Sequence, residues 1–467
     1  MHNCDRRQIG LCVQLQQEVW SFAIKAGRIM SKITTYQEAE EYVLSIPQFT
    51  QKNTWEQTRD FYEFLGKPGQ SSRIIHVAGT NGKGSVCAYM DSCLREGGYS
   101  VGMFTSPHLI TVRERIRLNG EVISQTDFLQ TLLELKERLR EYRRKLTDKG
   151  KKYHPAFFEW LFFMNMLYAE RNSPQVIILE TGLGGRLDAT NVIDFPAACV
   201  ITPVSLDHME YLGDTCEQIA KEKAGIIKQG SRVIYSAMRR ECEKVISRKA
   251  TECGCSCRKV TKGQEMGFNL KHKGIDFSFY SRYYGYIPMS LTTKALYQTE
   301  NAALALVALE EAGFDLSPET MQRGVMNCCW EGRMEEIDPG IFLDGAHNRD
   351  GIEAFLETVE RDGCQGERWL LFSVVSDKEY DRMTAQITDA GLFQRICTAP
   401  LENARGLGQE QLEVLFAGDK VRVFENVPRA LEEICALRGE KDIVYVAGSL
   451  YLVGQVRACF TGGSNSQ

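Results

Sequence analysis

The sequence predicts an α/β protein: a P-loop-containing, doubly wound, mainly parallel sheet domain, then a smaller Rossmann-like α/β C-terminal domain. Three observations carry this. Short apolar, β-branched runs alternate with helical stretches, the rhythm of strands joined in parallel by helical crossovers. One such run ends in Gly79-Thr80-Asn81-Gly82-Lys83-Gly84-Ser85 and passes directly into a helical stretch. The rhythm breaks once, over 265–292, and restarts near Asn327.

Thr35–Ile46 has helical periodicity and stops before Pro47, because the residue ahead of a proline disfavours α backbone. Trp55–Leu65 reads as a second helix, ended by Gly66 and Pro68. Arg73–Ala78, Tyr99–Thr105, Val176–Glu180, Ala198–Thr202 and Arg232–Ser236 read as strands, with helices over Thr126–Lys145 and Pro155–Glu170 between them. In 265–292, Phe268 and Leu270 alternate with polar neighbours, and Ile275, Phe277, Phe279 and Tyr283 share one parity, which predicts an antiparallel meander. Glu300–Ala312 is an apolar helix, and Ile341–Leu343, Trp369–Val374, Arg395–Thr398, Val421–Phe424 and Ile443–Ala447 are the strands of the second domain. A chain of 467 residues exceeds one ordinary core. The expected division is 1–30 as an N-terminal extension outside the fold, 31–326 as the phosphate-binding domain and 327–467 as the C-terminal domain. Gly462–Ser466 reads as a low-complexity tail.

Composition narrows the function. The 43 % hydrophobic and 25 % charged content is that of a soluble globular protein. A net charge of −5 supplies no electrostatic footprint for nucleic acid. The basic run Lys136–Lys145 is interleaved with Glu137 and Glu141 and reads as a solvated helix face. No apolar run approaches the ~20 residues that span a bilayer, so no membrane association is expected. The 16 cysteines are scattered and follow no secretory leader, which points to reduced thiols in a cytoplasmic protein. Cys253-Gly254-Cys255-Ser256-Cys257 lacks the second pair that a structural zinc site needs.

Chemistry concentrates in six ordered motifs. In the glycine loop, backbone N–H groups can close around phosphate oxygens at a helix N-terminus, Lys83 can reach the β/γ-phosphates, and Ser85 can offer a hydroxyl to Mg²⁺. Then follow Thr105-Ser106-Pro107-His108 with Glu114-Arg115-Ile116-Arg117; Glu180-Thr181-Gly182-Leu183-Gly184-Gly185-Arg186; Leu206-Asp207-His208; Glu222-Lys223-Ala224-Gly225; and Gly332-Arg333 with Asp344-Gly345-Ala346-His347-Asn348. Ser85, Ser106, Glu180 and His208 form a ligand set at the ends of neighbouring strands that suits Mg²⁺, which takes few protein oxygens beside substrate phosphates and water. Singly, Glu180 also reads as an arginine's partner and His208 as a buried structural histidine.

These motifs, with Gly448-Ser449-Leu450-Tyr451-Leu452-Val453-Gly454, resemble the folylpolyglutamate synthase and dihydrofolate synthase family of the Mur ligase superfamily, from about Thr34 to Arg457. The resemblance implies ATP and Mg²⁺ as cofactors. It places Gly82, Lys83, Gly84 and Ser85 on the ATP phosphates, with Asn301, Arg333, Asp344 and His347 also contacting nucleotide. Ser85, Ser106 and Glu180 would hold one Mg²⁺ and His208 a second. Lys223 matches a lysine that the superfamily carbamylates, so it joins the metal ligands. Lys83, His208, Lys223 and Arg333 would be the catalytic set. The implied activity is ATP-dependent addition of L-glutamate to folates, or to dihydropteroate as well, through an acyl phosphate, by a monomer whose partners are small molecules only. A ligase acting on a cell-wall nucleotide precursor and a non-catalytic P-loop nucleotide-binding protein are the alternatives. The family often has proline where Glu331 stands, histidine at Tyr297, proline at Arg349 and glycine at Ser373.

Overall fold

The computed structural model describes residues 33–47, 53–146, 153–261, 265–271, 274–376, 378–403, 405–416 and 421–461. The expected extension, the Gly462–Ser466 tail and Asp377 lie outside them. The chain divides into two compact units, one containing the described residues up to Gly69 with Ile123–Asn172, the other Gln70–Val122 with the described residues from Ser173 onward.

The first unit is helical: Tyr36–Leu44, Trp55–Phe64, Gln125–Lys145 and Phe157–Asn172. Thr35 with Glu38, and Thr54 with Gln57, form reciprocal capping boxes that satisfy orphan N–H groups and set where the first two helices begin. Phe61 is fully buried, with ring centroids 5.0 Å from those of Tyr142 and Phe163. Buried Glu159 accepts from Thr58 Oγ1, from Asn53 Nδ2 at 2.6 Å and from the Ala156 N–H at 2.6 Å, which offsets the cost of its desolvation.

The second unit carries both sheets. The first consists of β1 (Arg73–Ala78), β2 (Val101–Phe104), β3 (Ile116–Leu118), β4 (Glu121–Val122), β5 (Val176–Glu180), β6 (Ala198–Ile201), β7 (Arg232–Ser236) and β8 (Cys257–Val260), in the order β4-β3-β2-β5-β1-β6-β7-β8. Only the β2–β3 and β3–β4 pairings are antiparallel. β9 (Glu265–Lys271), β10 (Gly274–Ser281) and β11 (Gly285–Leu291) form the expected meander. Ile275, Phe277 and Phe279 are buried. Tyr283 shares their parity but is exposed, because Arg282–Tyr284 form the turn into β11. The second sheet comprises β12 (Arg333–Asp338), β13 (Ile341–Asp344), β14 (Arg368–Phe372), β15 (Arg395–Thr398), β16 (Val421–Val423) and β17 (Ile443–Ala447), in the order β12-β13-β17-β14-β15-β16.

The core explains these choices. Helix Tyr297–Glu311 is apolar all round over Ala302–Leu309, and that stretch is buried in the cluster that also holds β1, β5, β6 and the meander. Each fully buried leucine there contributes ~2 kcal/mol relative to exposure. Cys216–Ala224 and Arg240–Glu252 belong to a separate cluster containing Cys199, Ile201, Val233 and Tyr235, alternate in parity to the β6 and β7 residues of the first. Helices thus cover both faces, as doubly wound sheets require. β12, β3, β4 and β8 are absent from the sequence reading: three are short or at an edge, and Cys257–Val260 lacks an apolar pattern. The Cys253 and Cys255 thiols instead bond the backbone after helix Cys216–Ala224, with Cys255 Sγ donating to Lys228 O at 3.0 Å and Cys253 Sγ to Ile227 O at 3.7 Å. Among the described residues no helix is long and apolar enough to cross a membrane.

Candidate active site

β1 lies between β5 and β6, where the strand order reverses, and doubly wound sheets bind ligands in the crevice at such a point. Helix Lys83–Glu96 starts directly after the glycine loop. Gly82, its N-cap, has φ +85, and a Cβ there would stand 2.5 Å from Asn301 Oδ1. Gly79 has φ +154, and a Cβ would come within 1.7 Å of Thr202 Oγ1. Both positions need glycine. Gly84 has a different reason: a Cβ would sit 3.0 Å from the Trp330 indole, so the residue separating Lys83 from Ser85 makes room for a side chain arriving from ahead of β12.

The β1–β5 register sets Val77 beside Glu180, so Glu180 ends its strand next to the loop. Lys83 Nζ is 3.8 Å from Glu180 Oε1 and donates to Thr80 O at 3.2 Å. The Ser106 N–H donates to Glu180 Oε2 at 2.9 Å. Burial pushes the Glu180 carboxyl up, against the lowering effect of Lys83, the Ser106 N–H, Arg333 and Arg115. Ser85 is buried and its hydroxyl accepts from Gln298 Nε2 at 3.2 Å; Gln298 Oε1 in turn accepts from Asn301 Nδ2 at 2.9 Å. These donors fit Mg²⁺. Ser85 Oγ keeps a lone pair after accepting one bond, and Glu180 Oε1 faces Lys83 beyond hydrogen-bond length. Among the described residues no group of three or more His, Cys, Asp and Glu could hold a metal ion.

Lys223, on Cys216–Ala224, is buried, and its Nζ donates to Gly79 O at 2.6 Å. Burial first, and Lys83 second, pull its ammonium down to about 7, with Asp207 and Asp188 opposing. The neighbouring Glu222 is held by Arg186 at 3.0 Å. His208 has φ +50, a left-handed conformation uncommon for a residue with a side chain. Its N–H donates to Asp207 Oδ1 at 2.9 Å.

The second sheet contributes Arg333, Asp344 and His347. The β12–β13 register sets Arg333 beside Asp344, and a Cβ on Gly345 would meet Arg333 Nη1 at 2.1 Å. Asp344 accepts from Tyr297 Oη at 2.5 Å and from the N–H groups of Met334 and Ala346 at 3.1 and 2.9 Å. Burial raises its carboxyl, with Arg333 the chief opposing influence. His347 Nδ1 lies 2.7 Å from Gly345 O, which assigns the ring proton to that nitrogen. Burial and then Lys378 lower this imidazole to about 3, so it is neutral at pH 7.

Several site residues were missed in the sequence. Asn81 and Asn348 exchange two amide hydrogen bonds of 3.0 and 2.9 Å. Asn348 also donates to Asp207 Oδ2 at 3.1 Å, and Lys378 Nζ donates to Asp207 Oδ1 at 2.5 Å. Asn81, Asp207 and Asn348 stand in quoted motifs and Lys378 in none, and only their partners reveal the role. Glu114 accepts the N–H groups of Leu109, Ile110 and Thr111 at 2.7–2.9 Å, and Arg115 Nε donates to His108 Nδ1 at 2.9 Å; the E-R-I-R segment therefore shapes the loop that carries Ser106. The departures from the family pattern also have partners. Glu331 pairs with Arg117 at 3.3 Å, Tyr297 holds Asp344, and Ser373 Oγ donates to Ala399 O at 2.7 Å. Arg349 opens helix Arg349–Glu360, and nothing in the structure explains its identity.

Residues 77–309 match the Mur ligase middle domain and 332–450 the Mur ligase, glutamate ligase domain. Phosphate loop, carboxylate-ended strand and second sheet define a Mur ligase. The chain is 32 % identical over 433 residues to the Bacillus subtilis dihydrofolate synthase/folylpolyglutamate synthase, covering 91 % of this chain and 99 % of that one. Mycobacterium tuberculosis folylpolyglutamate synthase complexed with ADP superposes with a TM-score of 0.84 at 26 % identity, covering 91 % of this chain and 98 % of that one. E. coli FolC in complex with DHPP and ADP gives 0.79 at 26 % identity, covering 92 % and 98 %. The chain belongs to the folylpolyglutamate/dihydrofolate synthase family of Mur ligases, which are ATP-dependent ligases.

Proposed function

We propose that this protein uses ATP to join the amine of L-glutamate to a folate carboxylate, and that it accepts dihydropteroate as well as tetrahydrofolate. The reading includes a cytoplasmic monomer whose partners are small molecules alone. The observation that carries it is the pair of hydrogen bonds between Asn81, in the phosphate loop, and Asn348, beside His347: residues suited to nucleotide converge from both sheets.

Loop N–H groups and Lys83 bind the ATP phosphates, with Asn301, Arg333, Asp344 and His347 completing the nucleotide's surroundings. Ser85, Ser106 and Glu180 would hold one Mg²⁺, and His208 with a carbamylated Lys223 another; such ions would supply charge neutralisation at the phosphates. The substrate carboxylate oxygen attacks the γ-phosphorus, forming an acyl phosphate and releasing ADP. The glutamate amine then attacks the acyl carbon, loses a proton, and phosphate departs. Lys83 and Arg333 stabilise the charge in flight, and seating of the second sheet excludes water that would hydrolyse the acyl phosphate. A lysine amine deprotonated near pH 7 can attack CO₂ and lose a proton to give a carbamate, turning Lys223 into an oxygen donor.

Incubating the protein with ATP, Mg²⁺ and glutamate, plus either dihydropteroate or tetrahydrofolate, tests the reading. The expected products are ADP and a pterin heavier by glutamyl residues. Product only from a nucleotide-sugar acceptor, or nucleotide binding without amide formation, would overturn it.

A further inference from the structure

The Asp207–Lys378 ion pair plays no assigned part, yet its side chains are only 9 % and 8 % exposed. Taking both charges out of water makes such a pair a weak source of stability, and its better-attested use is to specify register. Its connections show what it registers. Asp207 follows β6 of the first sheet and Lys378 follows β14 of the second. Lys378 Nζ donates to Asp207 Oδ1, the oxygen that also accepts the His208 N–H. Asn348, from the second sheet, takes the other carboxylate oxygen. His208 meanwhile sits at φ +50, a conformation that persists only where surrounding contacts over-determine it.

We propose that Lys378 is a positioning residue: reaching from the second sheet, it pins the Asp207 carboxylate, which holds His208 in its left-handed conformation, so that the first-sheet site is set only when the second sheet is seated. Lys378 itself need not touch substrate. Seating and readiness become one event, which suits a reaction whose acyl phosphate must not meet water. The idea rests on the ligase reading for its kinetic consequence but not for its structural one.

The test is Lys378→Met, Lys378→Arg, Asp207→Asn and the Asp207→Asn/Lys378→Met pair in the full-length chain, each checked by cooperative melting. Hydrogen exchange over 205–212 and the ratio of ADP released to amide formed are then measured. Lys378→Met should speed exchange in that segment, lower kcat by roughly 10²-fold, as small misplacements of reacting groups do, and raise ADP per amide. Lys378→Arg should restore most of the exchange protection. The double variant, which buries no lone charge, should be less impaired than the two single effects multiplied. Wild-type exchange and coupling ratio in Lys378→Met would overturn the proposal, as would strictly multiplicative effects in the pair. If the wild-type protein makes no glutamyl product, the ligase reading fails, while the exchange measurements still decide the role of Lys378.

Discussion

The two sheets serve one site by different means. The first builds its part from backbone: a glycine loop with two positive-φ positions, N–H groups at a helix start, and strand ends whose register sets Glu180 beside the loop. The second joins it through side chains: Asp344, beside Arg333, is held by Tyr297 from the helix packed on the first sheet, and Asn348 and Lys378 hold Asp207 of the first sheet. A backbone-built cradle stays standing when one side chain is removed, whereas a side-chain network leaves a buried partner exposed to the loss. First-sheet substitutions should therefore cost activity with little stability, and second-sheet ones some of each.

The largest effect is expected at Lys83. Lys83→Ala removes a charge aimed at phosphate and leaves every loop glycine in place, so turnover should fall by roughly 10³-fold or more. The melting temperature should stay near wild type; a large drop would erase the contrast between the sheets. Lys223→Ala comes next and sharpens it, since this residue belongs to the first sheet's side yet is buried. Near-inactivity is expected, with partial recovery on adding acetate or formate, small carboxylates that can replace a carbamate. Full activity without them would remove the carbamate from the mechanism.

Tyr297→Phe tests the second sheet's network. Losing the hydroxyl from buried Asp344 should cost about 1–3 kcal/mol in denaturant unfolding, together with a modest fall in kcat/KM. An effect on kcat/KM alone would mean that this network behaves like the first sheet. The smallest effect concerns His76, in the middle of β1, which is fully buried with Nε2 2.8 Å from Thr190 Oγ1. Burial lowers its imidazole to about 3. The unfolded chain therefore binds a proton below pH ~6.5 that the native state refuses until about pH 3, and stability is lost as pH falls through that window. His76→Leu should flatten this acid limb in urea titrations while leaving turnover unchanged at pH 7.

Much of this was legible in the sequence because it follows from periodicity and local chemistry. Arg73–Ala78, Val176–Glu180, Arg232–Ser236, Arg395–Thr398 and Ile443–Ala447 are strands with the expected bounds, since buried parallel strands are short uninterrupted apolar runs. The nearness of Lys83, Ser106 and Glu180 follows from motifs placed at strand ends. What stayed hidden depends on pairing between distant segments. Nothing local in Arg333–Asp338 marks a strand: the adjacent charges Glu335 and Glu336 break the alternation, leaving Met334 and Ile337 out of step, and β12 is an edge that pairs antiparallel with β13. Nothing local marks Lys378 either, because its meaning is Asp207, 171 positions away. The helical unit was legible as helices but not as a unit, since two of its helices precede β1 and two follow β4.

The glycine that separates Lys83 from Ser85 has a practical consequence. Its missing side chain admits the Trp330 indole against the first turn of the phosphate-binding helix, with the Arg117 guanidinium 5.3 Å from the ring. An indole's emission responds to charge and polarity around it, and in this chain that chromophore packs on Gly84, one residue from Lys83, which we propose binds phosphate. The protein thus carries its own optical probe: nucleotide titrations followed at Trp330, against a Trp330→Phe control that subtracts the other four tryptophans, should report loop occupancy without a label.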